Sequence, residues 1–270
     1  MPGLFIVATP IGNLKDLSFR AVEILKQADL IACEDTRTSQ ALVKKYAIKT
    51  PLVSYHKFNL SQKNVSILEK LKNGKTIALI SDAGTPGISD PGEELIALCI
   101  QEKIPVYQVP GPCALVCGLV LSGFKTKKFS FFGFLPAQGK ERQKALEELS
   151  AEKKVFILYE APHRLQKTLQ DLIVIFGKES RIAVGRELTK KYEEIFRGTL
   201  EESKNHFKNP RGEFVLVVEP TLKKEKINSL SPQIVQAFLK EGLPIKQSAR
   251  LISTLCGISK NQAYDYLIGK

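Results

Sequence analysis

Short apolar runs rich in β-branched residues alternate with amphipathic segments along most of this chain, and no other feature narrows its fold as much. Leu4 to Ala8, Leu30 to Cys33, Leu52 to Ser54, Thr76 to Ser81 and Pro105 to Val109 read as strands. Between them the spacing predicts helices over Ser18 to Gln27, Thr36 to Lys45, Ser61 to Lys72, Gly92 to Glu102 and Pro112 to Leu121. This β/α alternation describes an open, largely parallel sheet with helices on both faces. A ligand on such a sheet sits beyond the C-terminal ends of the strands.

A short basic link, Gly123 to Lys128, opens a second half. Its strand patterns are Phe129 to Phe134, Val155 to Tyr159, Arg181 to Gly185, Glu194 to Arg197 and Glu213 to Val218, with helices near Lys140 to Leu149 and His163 to Phe176. The last strands are joined by short segments, which predicts a mixed sheet with antiparallel pairs. After Pro220 the composition changes. The lysine-rich stretch Leu222 to Lys226 reads as a solvated linker, and three short helical patterns follow around Pro232 to Glu241, Ile245 to Cys256 and Lys260 to Ile268. Their tight turns resemble a helix-turn-helix module, with Ile234, Phe238, Leu251, Leu255 and Leu267 as its apolar positions. The expected organisation is therefore an α/β domain over 1–122, a second α/β domain over 123–220 that completes a cleft, and a small basic helical module over 221–270.

Composition removes several classes. At 270 residues and 43% hydrophobic content the chain can bury a full core without staples. Its five cysteines are scattered, four of them inside apolar runs, so they form no disulfide framework and suit a reducing compartment. The first strand begins almost at Met1, with neither a basic leader nor a long apolar run, and no stretch approaches the roughly 18 apolar residues that cross a bilayer. A cytoplasmic protein is expected. A net charge of +12 favours anionic partners, nucleic acid first among them, although surface lysines also serve solubility alone.

The sequence lacks a Gly-x-Gly-x-x-Gly turn after the first strand, a Walker-type loop, Cys-x-x-Cys and His-x-x-x-His. Cys113 and Cys117 share a helix face but read as apolar packing. What remains is a set of loops after strands: Ala8-Thr-Pro-Ile-Gly-Asn-Leu, Ser81-Asp-Ala-Gly-Thr-Pro-Gly-Ile-Ser-Asp-Pro-Gly and Val109-Pro-Gly-Pro-Cys-Ala. Any one of them alone is an ordinary turn. Three at the same sheet edge, with Asp82 and Asp90 in one of them, form a close-walled crevice able to bind a ligand.

Together with Phe132-Gly-Phe-Leu-Pro, Tyr159-Glu-Ala-Pro-His-Arg, Gly185-Arg-Glu-Leu-Thr-Lys and Arg211-Gly-Glu-Phe-Val-Leu, these loops resemble the tetrapyrrole methylase superfamily, and within it the ribosomal RNA small subunit methyltransferase I branch. The resemblance runs over nearly the whole chain. It implies two α/β domains, S-adenosylmethionine in the cleft between them, a homodimer, and 2′-O-methylation of a decoding-region cytidine in small-subunit ribosomal RNA. Carried onto this sequence, it places Pro10, Ile11, Asp82, Ala83, Gly84, Ile88, Ala114, Leu158, Tyr159, Gly185 and Glu213 beside the cofactor. No metal is implied.

For the chemistry, Asp35 and Arg37 follow the second strand and could act as proton acceptor and phosphate clamp, or equally as a helix cap with a surface pair. Glu160 and Arg164 begin a helix after another strand and could line the acceptor side, as could Glu187 and Lys190. His163 reads as a surface residue at a helix start. Two alternatives stand beside the RNA reading. A tetrapyrrole C-methyltransferase would have no evident use for a basic helical module, and a non-enzymatic RNA-binding or ribosome-assembly factor would leave the loop set unexplained.

Overall fold

The computed structural model of the chain describes residues 1–221, 243–256 and 259–268. The first half forms β1 (Gly3–Val7), α1 (Phe19–Gln27), β2 (Leu30–Cys33), α2 (Thr36–Lys45), β3 (Leu52–Ser54), α3 (Leu60–Lys72), β4 (Thr76–Ile80), α4 (Glu93–Gln101), β5 (Val106–Val109) and α5 (Ala114–Ser122). All five strands are parallel, in the order β3-β2-β4-β1-β5. Alternation within β1 shows why its run is continuously apolar: Phe5 and Val7 enter one core cluster, Leu4 and Ile6 the other, and all four are nearly inaccessible. β4 divides in the same way, with Ala78 and Ile80 on one side and Ile77 and Leu79 on the other. Each of these side chains except the small Ala78 contributes about 1.5–3 kcal/mol by leaving water. Local chemistry starts the helices, since Ser18 accepts from the Ala21 N–H and Asp35 from the Arg37 N–H.

The second half forms β6 (Phe129–Phe134), α6 (Gly139–Ser150), β7 (Val155–Glu160), α7 (Pro162–Phe176), β8 (Arg181–Arg186), β9 (Glu194–Thr199), α8 (Leu200–His206) and β10 (Phe214–Glu219). Its sheet runs β6-β7-β10-β8-β9, with β6 and β7 parallel and the other pairs antiparallel, the mixed pattern that short connections predict. Helix α8 is not anticipated by periodicity, because seven residues hold too few repeats. Its start is nonetheless written in the sequence, as Thr199 and Glu202 form a reciprocal capping box.

Helix α5 ends at the boundary drawn at residue 122, yet its packing reaches across it. It follows the first sheet in sequence but packs on the second, where Leu115 and Leu119 join Ile157, Val215 and Val217. Gly118 makes this possible, since a Cβ there would meet Val215 Cγ1 at 2.5 Å. Gly12 allows a similar approach, because a Cβ at that position would lie 2.4 Å from Lys190 Cγ. Met1–Pro220 is consequently one compact unit.

The unit over Thr221–Lys270 contains, among its described residues, the helices Ile245–Cys256 and Lys260–Leu267. The helix expected near Pro232, the Leu222 to Lys226 linker and the side chains of Ile234, Phe238 and Leu255 lie outside the described residues. Ala249, Ile252, Ala263 and Leu267 are buried. Leu251, assigned to the core from the sequence, is 45% exposed, and the buried position on its helix is the adjacent Ile252. Among the described residues no helix is long and apolar enough to cross a membrane.

Candidate active site

Three loops meet where the parallel strands end. Thr9 and Gly84 exchange main-chain hydrogen bonds of 2.8 and 3.1 Å, tying the loop after β1 to the loop after β4. The Thr85 hydroxyl donates to the Pro112 carbonyl at 3.2 Å, which adds the loop after β5. The second sheet is joined through Tyr159 on β7, whose hydroxyl accepts the Leu115 N–H at 3.0 Å in the first turn of α5. On the other side Ser89 sits against Gly133, the residue at the β6 bulge. Main-chain geometry in the β4 loop needs its glycines: Gly84 and Gly87 have φ of 84° and 82°, and Ser89 adopts 66°.

These contacts enclose a cavity of about 520 Å³ between the sheets. Ile11, Ala114, Leu188 and Val215 give it an apolar side, while Asp82, Asp90 and Glu213 supply carboxylates. Burial, together with the negative charges of Glu34 and Asp82, pushes the Asp90 carboxyl up to about 7. Burial also raises Asp82, against a lowering hydrogen bond from the Asp35 N–H, and raises Glu34, which Lys57 and His56 partly offset. No described cation salt-bridges Asp82 or Asp90. A wall of this kind favours a positively charged ligand.

Of the positions that the resemblance puts beside the cofactor, Ile11, Asp82, Ala83, Gly84, Ile88, Ala114, Tyr159, Gly185 and Glu213 line this cavity. Pro10 lines a neighbouring cavity instead. Leu158 lines neither, because strand alternation turns its side chain into the fully buried core on the far face of the second sheet. Thr85 and Asp90, which belong to the crevice loop read from the sequence, also line it, together with Ser89, Phe134, Leu188 and Val215, to which the sequence reading gave no individual role. His163, read as a surface residue, stands at the cavity rim in the first turn of α7.

Among the residues considered for chemistry, Asp35, Arg37, Glu160 and Arg164 are held by contacts within the protein. Asp35 and Arg37 line neither cavity: Asp35 caps α2 and binds Arg37 at 2.7 Å, an arrangement that holds the aspartate down at about 2. The Arg37 side chain is 90% exposed. This is the capping alternative of the sequence reading. Glu160 touches the cavity wall, but its carboxylate is committed. One oxygen accepts the Ala161 N–H at 2.9 Å and pairs with Arg164 at 3.1 Å, and the other accepts the Thr168 hydroxyl at 2.5 Å. Arg164 also donates to the Leu135 carbonyl, and Arg142 binds Thr168 at 3.0 Å and Asp171 at 2.7 Å. Glu160 and Arg164 thus belong to a buried network that fixes the loop from Leu135 to Pro136 against α7.

Comparison with known proteins defines the class. The family model for tetrapyrrole (corrin/porphyrin) methylases matches residues 3–204, and the chain belongs to that family. It is a methyltransferase, and its cofactor is S-adenosylmethionine. The acidic, partly apolar cavity suits a sulfonium cation joined to an adenosine, so the residues present fit that group. More particularly, the chain is 45% identical to the ribosomal RNA small subunit methyltransferase I of Halalkalibacterium halodurans, over 97% of this chain and 93% of that one. It is 46% identical to the protein of the same name from Thermotoga maritima, over 81% of this chain and 98% of that one. Among solved structures, diphthine synthase superposes with a TM-score of 0.61 at 15% identity, covering 80% of this chain and 88% of the other. Uroporphyrin-III C-methyltransferase from Thermus thermophilus, complexed with S-adenosylhomocysteine, gives 0.59 at 16% identity over 80% and 96%. At such identities these structures define the fold alone.

Proposed function

We propose that the protein methylates the 2′-hydroxyl of a cytidine ribose in the decoding region of small-subunit ribosomal RNA, acting in the cytoplasm as a homodimer. The observation that carries this reading is the acid-lined cavity between the sheets, in a chain related over nearly its whole length to ribosomal RNA small subunit methyltransferases I. The net charge of +12 supports a polyanionic partner. So does Phe58, which is 84% exposed with Lys57 Nζ 5.0 Å from its ring centre, a pairing suited to an unstacked base beside a phosphate. Val116 and Val120, exposed on α5, offer an apolar strip for a second copy.

S-adenosylmethionine supplies the methyl group as an electrophilic carbon. The chain's own residues do the rest. Asp82 and Asp90 complement positive charge in the cavity, Ile11 and Val215 exclude water from it, and the three loops hold the reactants in one orientation, which can account for much of the acceleration. The acceptor hydroxyl must lose its proton as the new carbon–oxygen bond forms. Asp82 is the proton acceptor in this scheme, because it lines both neighbouring cavities and burial raises its proton affinity.

The test is transfer of labelled methyl groups to small subunits that lack the modification, followed by alkaline hydrolysis of the RNA. A methylated ribose protects the adjacent phosphodiester, so label in an alkali-resistant dinucleotide beginning with cytidine is expected. Label confined to mononucleotides would indicate base methylation and overturn the ribose assignment.

A further inference from the structure

Beside the cofactor cavity lies a second one of about 400 Å³, set between α2 and the loop after β1. The two share Ile11, Asp82, Ala83 and Glu213 as a common ridge. Transfer between two bound molecules requires two sites that meet where the reacting atoms touch, and this ridge is such a meeting place. The chemistry differs across it. The first cavity has Asp90 and an apolar wall, whereas the second has the cation of Lys190 and the hydroxyl-bearing Thr38. Lys190 Nζ donates to Glu187 at 2.9 Å and to Glu213 at 2.7 Å. An ammonium carries three donors, so one is left for a ligand oxygen.

We propose that the second cavity seats the single acceptor nucleotide, with its ribose against the ridge and a ribose oxygen on Lys190. The inference rests on the RNA reading above and deepens it. About 400 Å³ falls in the range of roughly 300–1,000 Å³ that encloses small ligands, so the space takes one nucleotide and excludes a duplex. The acceptor therefore enters unstacked and unpaired, as nucleotides do when an enzyme works on them in a pocket. There the acceptor oxygen bonds to the methyl carbon as the carbon–sulfur bond breaks with its electron pair passing to sulfur, and the hydroxyl proton moves to Asp82.

Thr38 and Ala41 line this cavity from exposed positions on α2, so larger side chains there fill it without disturbing the core. Ala41→Phe and Thr38→Phe are tested by cofactor titration and by single-turnover methylation of small subunits. The expected result is cofactor affinity within about twofold of wild type, with transfer slowed by about tenfold or more. Transfer at the wild-type rate in both variants overturns the assignment. So does loss of cofactor affinity, which would give the second cavity to the cofactor. A wild-type protein that does not methylate RNA at all would instead overturn the function proposed above, and this inference with it.

Discussion

The main-chain N–H of Asp35 donates to Asp82 Oδ1 at 3.1 Å, so the turn after β2 aims the carboxylate that follows β4. Asp35 enters the site through its backbone, while its own carboxylate serves α2 and Arg37. Asp82→Asn keeps an oxygen for that N–H and removes the charge. A proton acceptor contributes roughly 10²–10⁴-fold, and a loss of that order in single-turnover transfer is expected from a folded variant. Asp82→Ala, which also removes the oxygen, is expected to weaken cofactor binding by calorimetry. Unchanged turnover in Asp82→Asn would take the proton away from this residue.

Glu160 gives the opposite expectation. Its side chain is fully inaccessible and paired with Arg164, and deleting one partner of a buried pair costs about 3–5 kcal/mol. Glu160→Ala should unfold at a markedly lower temperature and denaturant concentration, and its activity should fall in proportion to the folded fraction. A variant of wild-type stability with no activity would restore Glu160 to the chemistry.

Asp90 is expected to make cofactor binding depend on pH. Its carboxyl titrates at about 7 in the folded protein, against 3.8 for the free group. A sulfonium cation favours the ionised form, so binding near neutrality should release a proton and tighten as pH rises towards 8. S-adenosylhomocysteine, which lacks the sulfonium charge, should show a weaker dependence. Calorimetry in buffers of different ionisation enthalpy measures the released proton, and equal proton release by both ligands would contradict the assignment. Stability runs the other way. Asp90 holds its proton more tightly folded than unfolded, so the folded state loses stability as pH rises from 3.8 to about 7. Asp90→Asn should remove that slope from a plot of Tm against pH.

Both sheets are legible in the sequence because Leu4 to Val7 and Phe214 to Val218 are runs whose alternate residues serve opposite core faces. The crevice is legible too, since Gly84 and Gly87 mark a loop that needs positive φ. Packing across the chain is not. Nothing local tells that α5 leaves its own sheet for Val215, or that Glu160 meets Thr168 rather than a substrate. Asp35 has the same cap signature whether its carboxylate faces a ligand or Arg37, and only the fold chooses between them.

The basic tail is expected to hold RNA apart from the chemistry. Lys223 to Lys270 contains eight Lys/Arg against three Asp/Glu. A chain ending at Pro220 keeps the whole unit that carries both cavities, so it should bind S-adenosylmethionine as the full chain does. Its affinity for small-subunit RNA should be lower and fall less steeply with salt, because fewer counterions are released. An unchanged salt slope would leave the acceptor to the α/β unit alone.

The most direct measurement of the central claim is mass spectrometry of nucleosides from small-subunit ribosomal RNA of cells with and without this protein. The expected result is one 2′-O-methylcytidine per subunit that vanishes with the gene and returns with the wild-type chain but not with Asp82→Asn. An identical ribose-methylation profile in the two strains would contradict it.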